Sequence, residues 1–295
     1  MRTWQYIATT QDDQMRLSHL LRLRMKLTRK QISRLKFTEN GILINQCPAR
    51  TDQIVRTGDQ ILLNITQRSL SAIQPPVQIA LEILYDTPDF IAVHKPSNLT
   101  FHPSPGHYYD TLSIQLSHLL QQRGDTSKLF AIGRLDKDTS GIALFAKHAI
   151  AAQRLQKQRE NHILQKEYLA LVHGVTPEQG ILTAPIRKKE NELNRMEIHP
   201  EGKNAYTRYE RIQTDGQVSL LKIQLKSGRT HQIRVHMQSI DHAIVGDPFY
   251  GISDGVPRLC LHAHKLSFLD PFLDTPIVLC DKDASFDDII RQYFD

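Results

Sequence analysis

The sequence predicts a fold that mixes strands with helices, and three observations carry that expectation. Apolar runs without polar alternation at 130–132 and 142–146 have the pattern of strands buried on both faces. Alternating runs at 166–174 and 218–225 read as strands with two distinct faces. Interspersed with them are segments of helical spacing, among them 111–120 and 148–158. At 295 residues, 40% of them apolar, the chain has material for one large or two ordinary domains with a substantial core.

Taken in order, residues 1–11 read as a short strand or arm. Leu17, Leu20, Leu21 and Leu23 give a first helix its apolar face. Thr28 stands where it can cap a second helix, with Ile32 and Leu35 inward and Arg29, Lys30, Arg34 and Lys36 outward. Asn40 and Gly41 signal a turn, and 41–45 and 59–65 read as short strands. Residues 66–77, with Ser69, Ser71, Pro75 and Pro76, lack periodicity. The expected division is therefore an N-terminal unit at 1–66, a linker at 67–78 and a main domain at 79–295.

In the main domain, 79–85 and 90–93 read as strands about a turn, and Leu112, Ile114, Leu116, Leu119 and Leu120 place a helix against the core. The stretch 186–205 sets Arg187, Lys188, Lys189, Arg195 and Lys203 among Glu and Asn, a mixed hairpin read as a solvated face. After the strand at 218–225, Gly228 makes a turn, Thr230 is the expected cap, and Ile233, Met237 and Ile240 share one helical face.

Thirty-seven Lys and Arg against thirty-one Asp and Glu give a net charge of +6. The excess is concentrated. From Arg16 to Lys36 the cations Arg16, Arg22, Arg24, Lys26, Arg29, Lys30, Arg34 and Lys36 occur without one acid, a pattern that favours a polyanion partner over a merely solvated face. Cys47, Cys260 and Cys280 are too scattered for a disulfide framework or a Cys-x-x-Cys metal site, which suits a reducing compartment. The opening residues have no apolar signal core, and no run reaches the roughly 18 apolar residues of a membrane span. A cytoplasmic protein is expected. His94, His102 and His107 lie close in sequence, but without an acid or thiol in metal-ligand spacing they read as a structural or ligand-facing loop, and no metal is expected.

The chemistry is expected at 133–147, where a charged loop bracketed by Gly133 and Gly141 is held between two buried strands. Asp136 and Asp138 lie beside Arg134 and Lys137. The bland alternative is a turn whose Asp, Thr and Ser bond only their own backbone. Arg134, Leu135, Asp136, Thr139, Ser140 and Gly141 resemble the catalytic signature of the RluA-type family of RNA pseudouridine synthases, with Gly133 where many members carry His. Further resemblances follow in the family's order: the loops 94–99 and 101–107, Lys166 with Tyr168, the run 228–236, then 246–251 and 261–268. The ending Phe268-Leu-Asp-Pro271 departs from the usual His-Pro. Residues 16–65 resemble an S4-type RNA-binding domain.

The resemblance implies an α+β fold, a mixed, largely antiparallel sheet with flanking helices and a basic cleft, with a small α+β unit ahead of it. The implied reaction isomerises uridine in structured RNA, ribosomal RNA being favoured over transfer RNA: the C1′–N1 bond breaks, the uracil turns, and a C1′–C5 bond forms. No cofactor is expected, in keeping with the lack of a Gly-rich phosphate loop or dinucleotide fingerprint. Asp136 would act on the ribose as nucleophile or base, Arg229 would pair with it, and Tyr168 would lie against the uracil and take its C5 proton. A tyrosine in a strand is ordinarily a core residue; the resemblance reverses that reading. Arg134, Thr139, Lys166 and Arg234 would contact RNA at the cleft, and Arg22, Arg24, Arg29, Lys30 and Arg34 would contact its phosphates. Arg229 and Arg234, beside a helix start, could instead make an anion site or pair with a buried acid. A monomer is expected. The competing class is a non-catalytic RNA-binding or ribosome-associated protein on the same scaffold.

Overall fold

The structure, a computed structural model, describes residues 2–65, 74–75, 77–104, 106–192 and 194–294. Most of the segment read as a linker lies outside the described residues. In the N-terminal unit β1 (Thr3–Ile7), β2 (Ile42–Ile44), β3 (Cys47–Pro48) and β4 (Gln60–Asn64) form an antiparallel sheet in the order β1-β4-β2-β3. Helices α1 (Leu17–Leu23) and α2 (Arg29–Lys36) share one apolar core with it through Leu17, Leu20, Leu21, Ile32 and Leu35. Leu23, expected on the apolar face, is instead exposed at the helix end. Thr28 caps α2 as expected: its Oγ1 accepts from Gln31 N–H, while Gln31 Oε1 accepts from Thr28 N–H, so two orphan donors are satisfied reciprocally.

The main sheet takes β5 (Ile83–Asp86), β6 (Phe90–Lys95), β7 (Phe130–Ala131), β8 (Ser140–Ala146), β9 (Gln165–His173) and β10 (Gln179–Leu182). Strands β11 (Ile186–Lys188) and β12 (Met196–Ile198) pair apart as a hairpin. The main sheet continues with β13 (Thr207–Thr214), β14 (Val218–Leu225), β15 (Leu261–Leu269) and β16 (Pro276–Cys280). Its order is β10-β13-β14-β9-β15-β8-β6-β5, with β16 on β15 and β7 on β8. Among the described residues, only the β15–β8 pairing of this sheet is parallel, so it is mixed and largely antiparallel, as expected. Helices α3 (Leu112–Gln122), α4 (Ala149–Glu160), α5 (Gln232–Gln238) and α6 (Ala284–Phe294) complete the α-helices among the described residues.

Every residue of β8 is buried, which explains its unbroken apolar run: one side packs with Val93, Phe101 and Leu116, the other with Leu155 and Phe268. Gly141 has a reason to be glycine. Its φ is +117°, and a Cβ there would stand 2.4–2.7 Å from the Ala263 backbone of β15. The chain following the charged loop is thereby pressed directly onto the middle of the sheet.

The N-terminal unit docks on α4. Ile150 enters its core, and the Arg154 guanidinium lies 4.3 Å from the Trp4 ring centroid and 4.8 Å from that of Phe272. Arg154 Nη1 and Nη2 also donate to the carbonyls of Pro271 and Met25, at 2.6 and 3.3 Å. Arg2 makes a two-pronged pair with buried Asp89, which His148 also contacts. The unit is thus seated, not merely tethered. With its two cation–ring interactions and two carbonyl bonds removed, Arg154→Ala should cost about 2–3 kcal/mol. Thermal melts and limited proteolysis check this; an unchanged melt and cleavage pattern would contradict the docking role.

Inside the unit, Asp12 is fully buried and accepts from Arg24 Nε at 2.6 Å, from Tyr6 Oη and from Thr9. Burial alone would raise its pKa, but the bonds from Arg24, Thr9 and Tyr6 outweigh it and hold the carboxyl well below its ordinary value. With the folded value depressed, this stabilisation is complete above the ordinary pKa of 3.8 and drains as pH falls beneath it. Asp12→Asn should therefore destabilise at neutral pH and flatten the acid limb of stability below about pH 4, measured by urea melts across pH.

Candidate active site

The charged loop is fixed by β6 and the turn after it. Lys95 is fully buried, and its Nζ donates at 2.8 Å to the carbonyls of Pro96, Leu99 and Lys137. Burial pulls its pKa down to about 7, and the three acceptors match the three donors of an ammonium. Ser97 Oγ donates to the Asp138 carbonyl at 2.6 Å, and Thr139 N–H to that of Asp136. On the far side Arg258 Nη2 reaches Ser140 Oγ at 2.6 Å while Nη1 pairs with Asp283, and Ser140 also bonds His262. The loop between residues 133 and 140 is held from both ends.

A small cavity of about 80 Å³ opens here, lined by Arg134, Asp136, Thr139, Tyr168, Arg229 and Arg234 among others. Six residues expected at the cleft are thus brought together from the β7–β8 loop, β9, the β14–α5 turn and α5. Arg134 is largely exposed, with Nη2 3.9 Å from Asp136 Oδ1. Thr139 is buried. Tyr168 sits mid-sheet opposite Ile223 of β14, and burial, reinforced by the charge of Asp136, pushes its phenol above the ordinary range. That direction works against the expected proton acceptance by Tyr168, which needs a phenolate; a protonated ring stacks and donates.

The expected pairing of Arg229 with Asp136 is corrected. Arg229 is exposed, and its Nε donates to the Asn204 carbonyl at 2.9 Å. The guanidinium directed at the carboxylates belongs to Arg234, only 1% exposed, whose Nη1 lies 3.5 Å from Asp138 Oδ2. Its Nε and Nη2 form a fork to Asp247 at 2.8 and 2.6 Å, and Phe249 and Tyr250 lie against it, each ring centroid 5.3 Å away. Burial opposes the charge, but Asp247, with Asp136 and Asp138, raises the pKa. Nη1 has no hydrogen-bond partner among the described residues, so a buried donor points unsatisfied toward the acids. The reason is local. His231, at φ +52°, begins α5, and Gln232 Oε1 accepts from Arg229 N–H and Ser227 Oγ, so the turn carries Arg229 outward and one helical turn carries Arg234 inward. Thr230 is not the cap.

Lys166, expected to touch RNA, donates from Nζ to the Ile142 carbonyl at 2.9 Å and lines a neighbouring cavity. Burial, then the charge of Arg159, brings its pKa to about 7. In the N-terminal unit Arg22 and Arg29 converge with Arg16 and Lys36 on an open groove of about 580 Å³, flanked by Phe37, which is 82% exposed. Lys30 and Arg34 are exposed on another side of α2. Arg24 is corrected: its Nε is committed to Asp12, an acid just ahead of the basic run, and its Nη2 to Gln11. In the hairpin, Arg187, Lys189 and Arg195 pair with Glu190, Glu192, Glu197 and Glu201, consistent with a solvated face. Lys95 and Asp247 carry no role in the sequence reading; their only signal is their place in the loop 94–99 and the run 246–251.

A carboxylate, a phenol and a buried guanidinium meeting at the centre of a mixed sheet, under an exposed arginine, define an RNA-modifying enzyme of the base-isomerising class by comparison with known proteins. Residues 89–239 match the family model described as RNA pseudouridylate synthase. The chain is 31% identical over 258 residues to the uncharacterized RNA pseudouridine synthase YhcT of Bacillus subtilis, covering 86% of this chain and 85% of that one. It is 33% identical over 240 residues to the ribosomal large subunit pseudouridine synthase D of Nitrosomonas europaea, covering 78% and 70%. Its fold is similar to the human RNA pseudouridylate synthase domain containing 1, with TM-score 0.56, 26% identity, and coverage of 72% and 86%. The chain belongs to the RNA pseudouridine synthase family, and it is an isomerase. Among the described residues, no helix is long and apolar enough to cross a membrane.

Arg234→Lys keeps the charge but loses the fork to Asp247 and the third donor, so turnover should fall about 100-fold or more. Arg229→Ala should cost less than about tenfold, losing one exposed bond to a carbonyl. Pseudouridine formation on the same RNA ranks the two; the opposite ranking would restore Arg229 to the central place.

Proposed function

We propose that Asp136 is the catalytic carboxylate, that Tyr168 stacks on the extruded uracil, and that Arg234 orients Asp136 and offsets its charge as it acts on the ribose. The supporting observation is the unsatisfied Arg234 Nη1 aimed at Asp138, two residues past Asp136, in a cavity that Asp136 and Tyr168 also line, with the charge of Asp136 acting on the guanidinium. The atoms balance within the substrate: the C1′–N1 bond breaks, the C1′–C5 bond forms, C5 gives up a proton and N1 gains one. The product has the mass of the substrate, and no redox partner or nucleotide is consumed.

A base stacked in structured RNA must leave its stack, at a cost of a few kcal/mol that phosphate and stacking interactions offset. Arg134, exposed at the mouth, is suited to hold the vacated position. The name of the Nitrosomonas relative favours large-subunit ribosomal RNA as the target. The basic groove at Arg16, Arg22, Arg29 and Lys36 is read as an S4-type surface for RNA phosphates, with Arg24 serving the fold. Action as a cytoplasmic monomer completes the reading.

Asp136→Asn should abolish tritium release from uracil-C5-labelled large-subunit ribosomal RNA while RNA affinity stays within about threefold, because a carboxylate replaced by an amide keeps its shape and loses its chemistry. Turnover above a trace would reject Asp136. Substituting Arg16, Arg22, Arg29 and Lys36 by Gln should make the log K against log salt slope shallower by about 0.7–0.9 for each phosphate no longer neutralised. An unchanged slope would return the groove to a solvated face.

A further inference from the structure

The uridine cavity shares Arg134, Arg159, Tyr168 and Gly228 with a second, larger cavity of about 290 Å³. Arg134, Arg159, Lys166, Lys226 and His162 line it, against one acid, Glu160, whose carboxylate accepts from Gln156. Arg159, in the last turn of α4, takes no part in holding the catalytic loop or in seating the N-terminal unit. It is half-buried, and among the described residues its side chain has no ion-paired or hydrogen-bonded partner.

Two glycines flank its guanidinium: a Cβ on Gly133 would meet Nε at 3.5 Å, an ordinary contact, and one on Gly228 would lie 2.8 Å from Nη2, which would have to shift. The two glycines come from opposite flanks of the site, one opening the catalytic loop and the other opening the β14–α5 turn. Arg159 therefore spans the boundary of the two cavities, near enough to Lys166 and Tyr168 to act on their charge. Lys226 lies over the Tyr206 ring at 4.6 Å. Cations that outnumber the single carboxylate beside them repel one another, and a guanidinium with open donors is a fork for a tetrahedral anion.

We propose that this second cavity receives the phosphodiester next to the extruded uridine, with Arg159 as its clamp and Lys226 as a second cation. The proposal rests on the reading of the first cavity as the uridine site. Because the cavities share walls, a strand whose nucleotide enters one carries its backbone through the other, with one negative charge per nucleotide.

The test uses the full chain carrying Asp136→Asn, so that affinity is measured without turnover, and an in vitro transcript of large-subunit ribosomal RNA as probe. Arg159→Gln on that background should weaken binding about tenfold and make the log K against log salt slope shallower by about 0.7–0.9. Arg159→Lys should keep the slope while losing part of the affinity, since the charge stays and the fork goes. Lys226→Gln, on an exposed residue whose replacement does not threaten folding, should shift the slope in the same direction. Unchanged affinity and slope in Arg159→Gln, or weaker binding with an unchanged slope, would overturn the phosphate site. Tritium release by the wild type on the same transcript is scored separately: its absence refutes the uridine reading, whereas turnover with unaltered binding by the Arg159 and Lys226 variants refutes the phosphate site alone.

Discussion

The site depends on keeping one guanidinium out of water. Burying an uncompensated cation costs several kcal/mol, so Arg234 is tolerable only because Asp247 takes two of its donors and two rings cover it. Asp247 is in turn held by the backbone N–H groups of Phe249 and Tyr250. With that much of the charge satisfied, Nη1 is left over, and among the described residues its one charged neighbour in ion-pair range besides Asp247 is Asp138 of the β7–β8 loop. A preset donor aimed at a proposed reacting centre would cost no rearrangement when charge develops there.

Such a donor is useful only if the loop it faces cannot move. The β7–β8 loop has no regular structure of its own, and three neighbours hold it: Lys95 through the Lys137 carbonyl, Ser97 through that of Asp138, and the Arg258–Asp283 pair through Ser140. These bonds come from residues more than 40 positions apart in both directions. Gly141 lets β8 run parallel to β15 at a distance that no side chain would permit, which sets the loop over the sheet centre where Tyr168 stands.

The N-terminal unit obeys the same positional constraint. Its docking on α4 through Arg154 and Ile150 fixes the helix whose last turn carries Arg159 toward the cavities. One face of α4 thus binds the basic unit and its C-terminal end reaches the site, so the groove at Arg22 and Arg29 and the cleft at Asp136 are held in a set relation. On the proposed reading, an RNA that spans them would meet a fixed distance between its phosphate partners and its reacting base.

Local pattern in the sequence by itself determined most of the strands and helices, the Thr28 cap and the identity of the charged loop, because these follow from spacing and from residues that are neighbours in the chain. The order of signatures was enough to name the family and, through it, the class of the fold. Which arginine faces the charged loop was beyond it. Arg229 and Arg234 lie five residues apart and either could be aimed inward; the left-handed start of α5 at His231 and the buried Asp247 decided for Arg234. Arg24 reads as one more cation in a basic run until the fold brings Asp12 beneath it. Arg159 reads as one polar residue on a helix until Gly133 and Gly228, distant in the chain, close around it. In each case the deciding partner is a neighbour brought close by folding, and that proximity is set by how the elements pack, which local pattern does not encode.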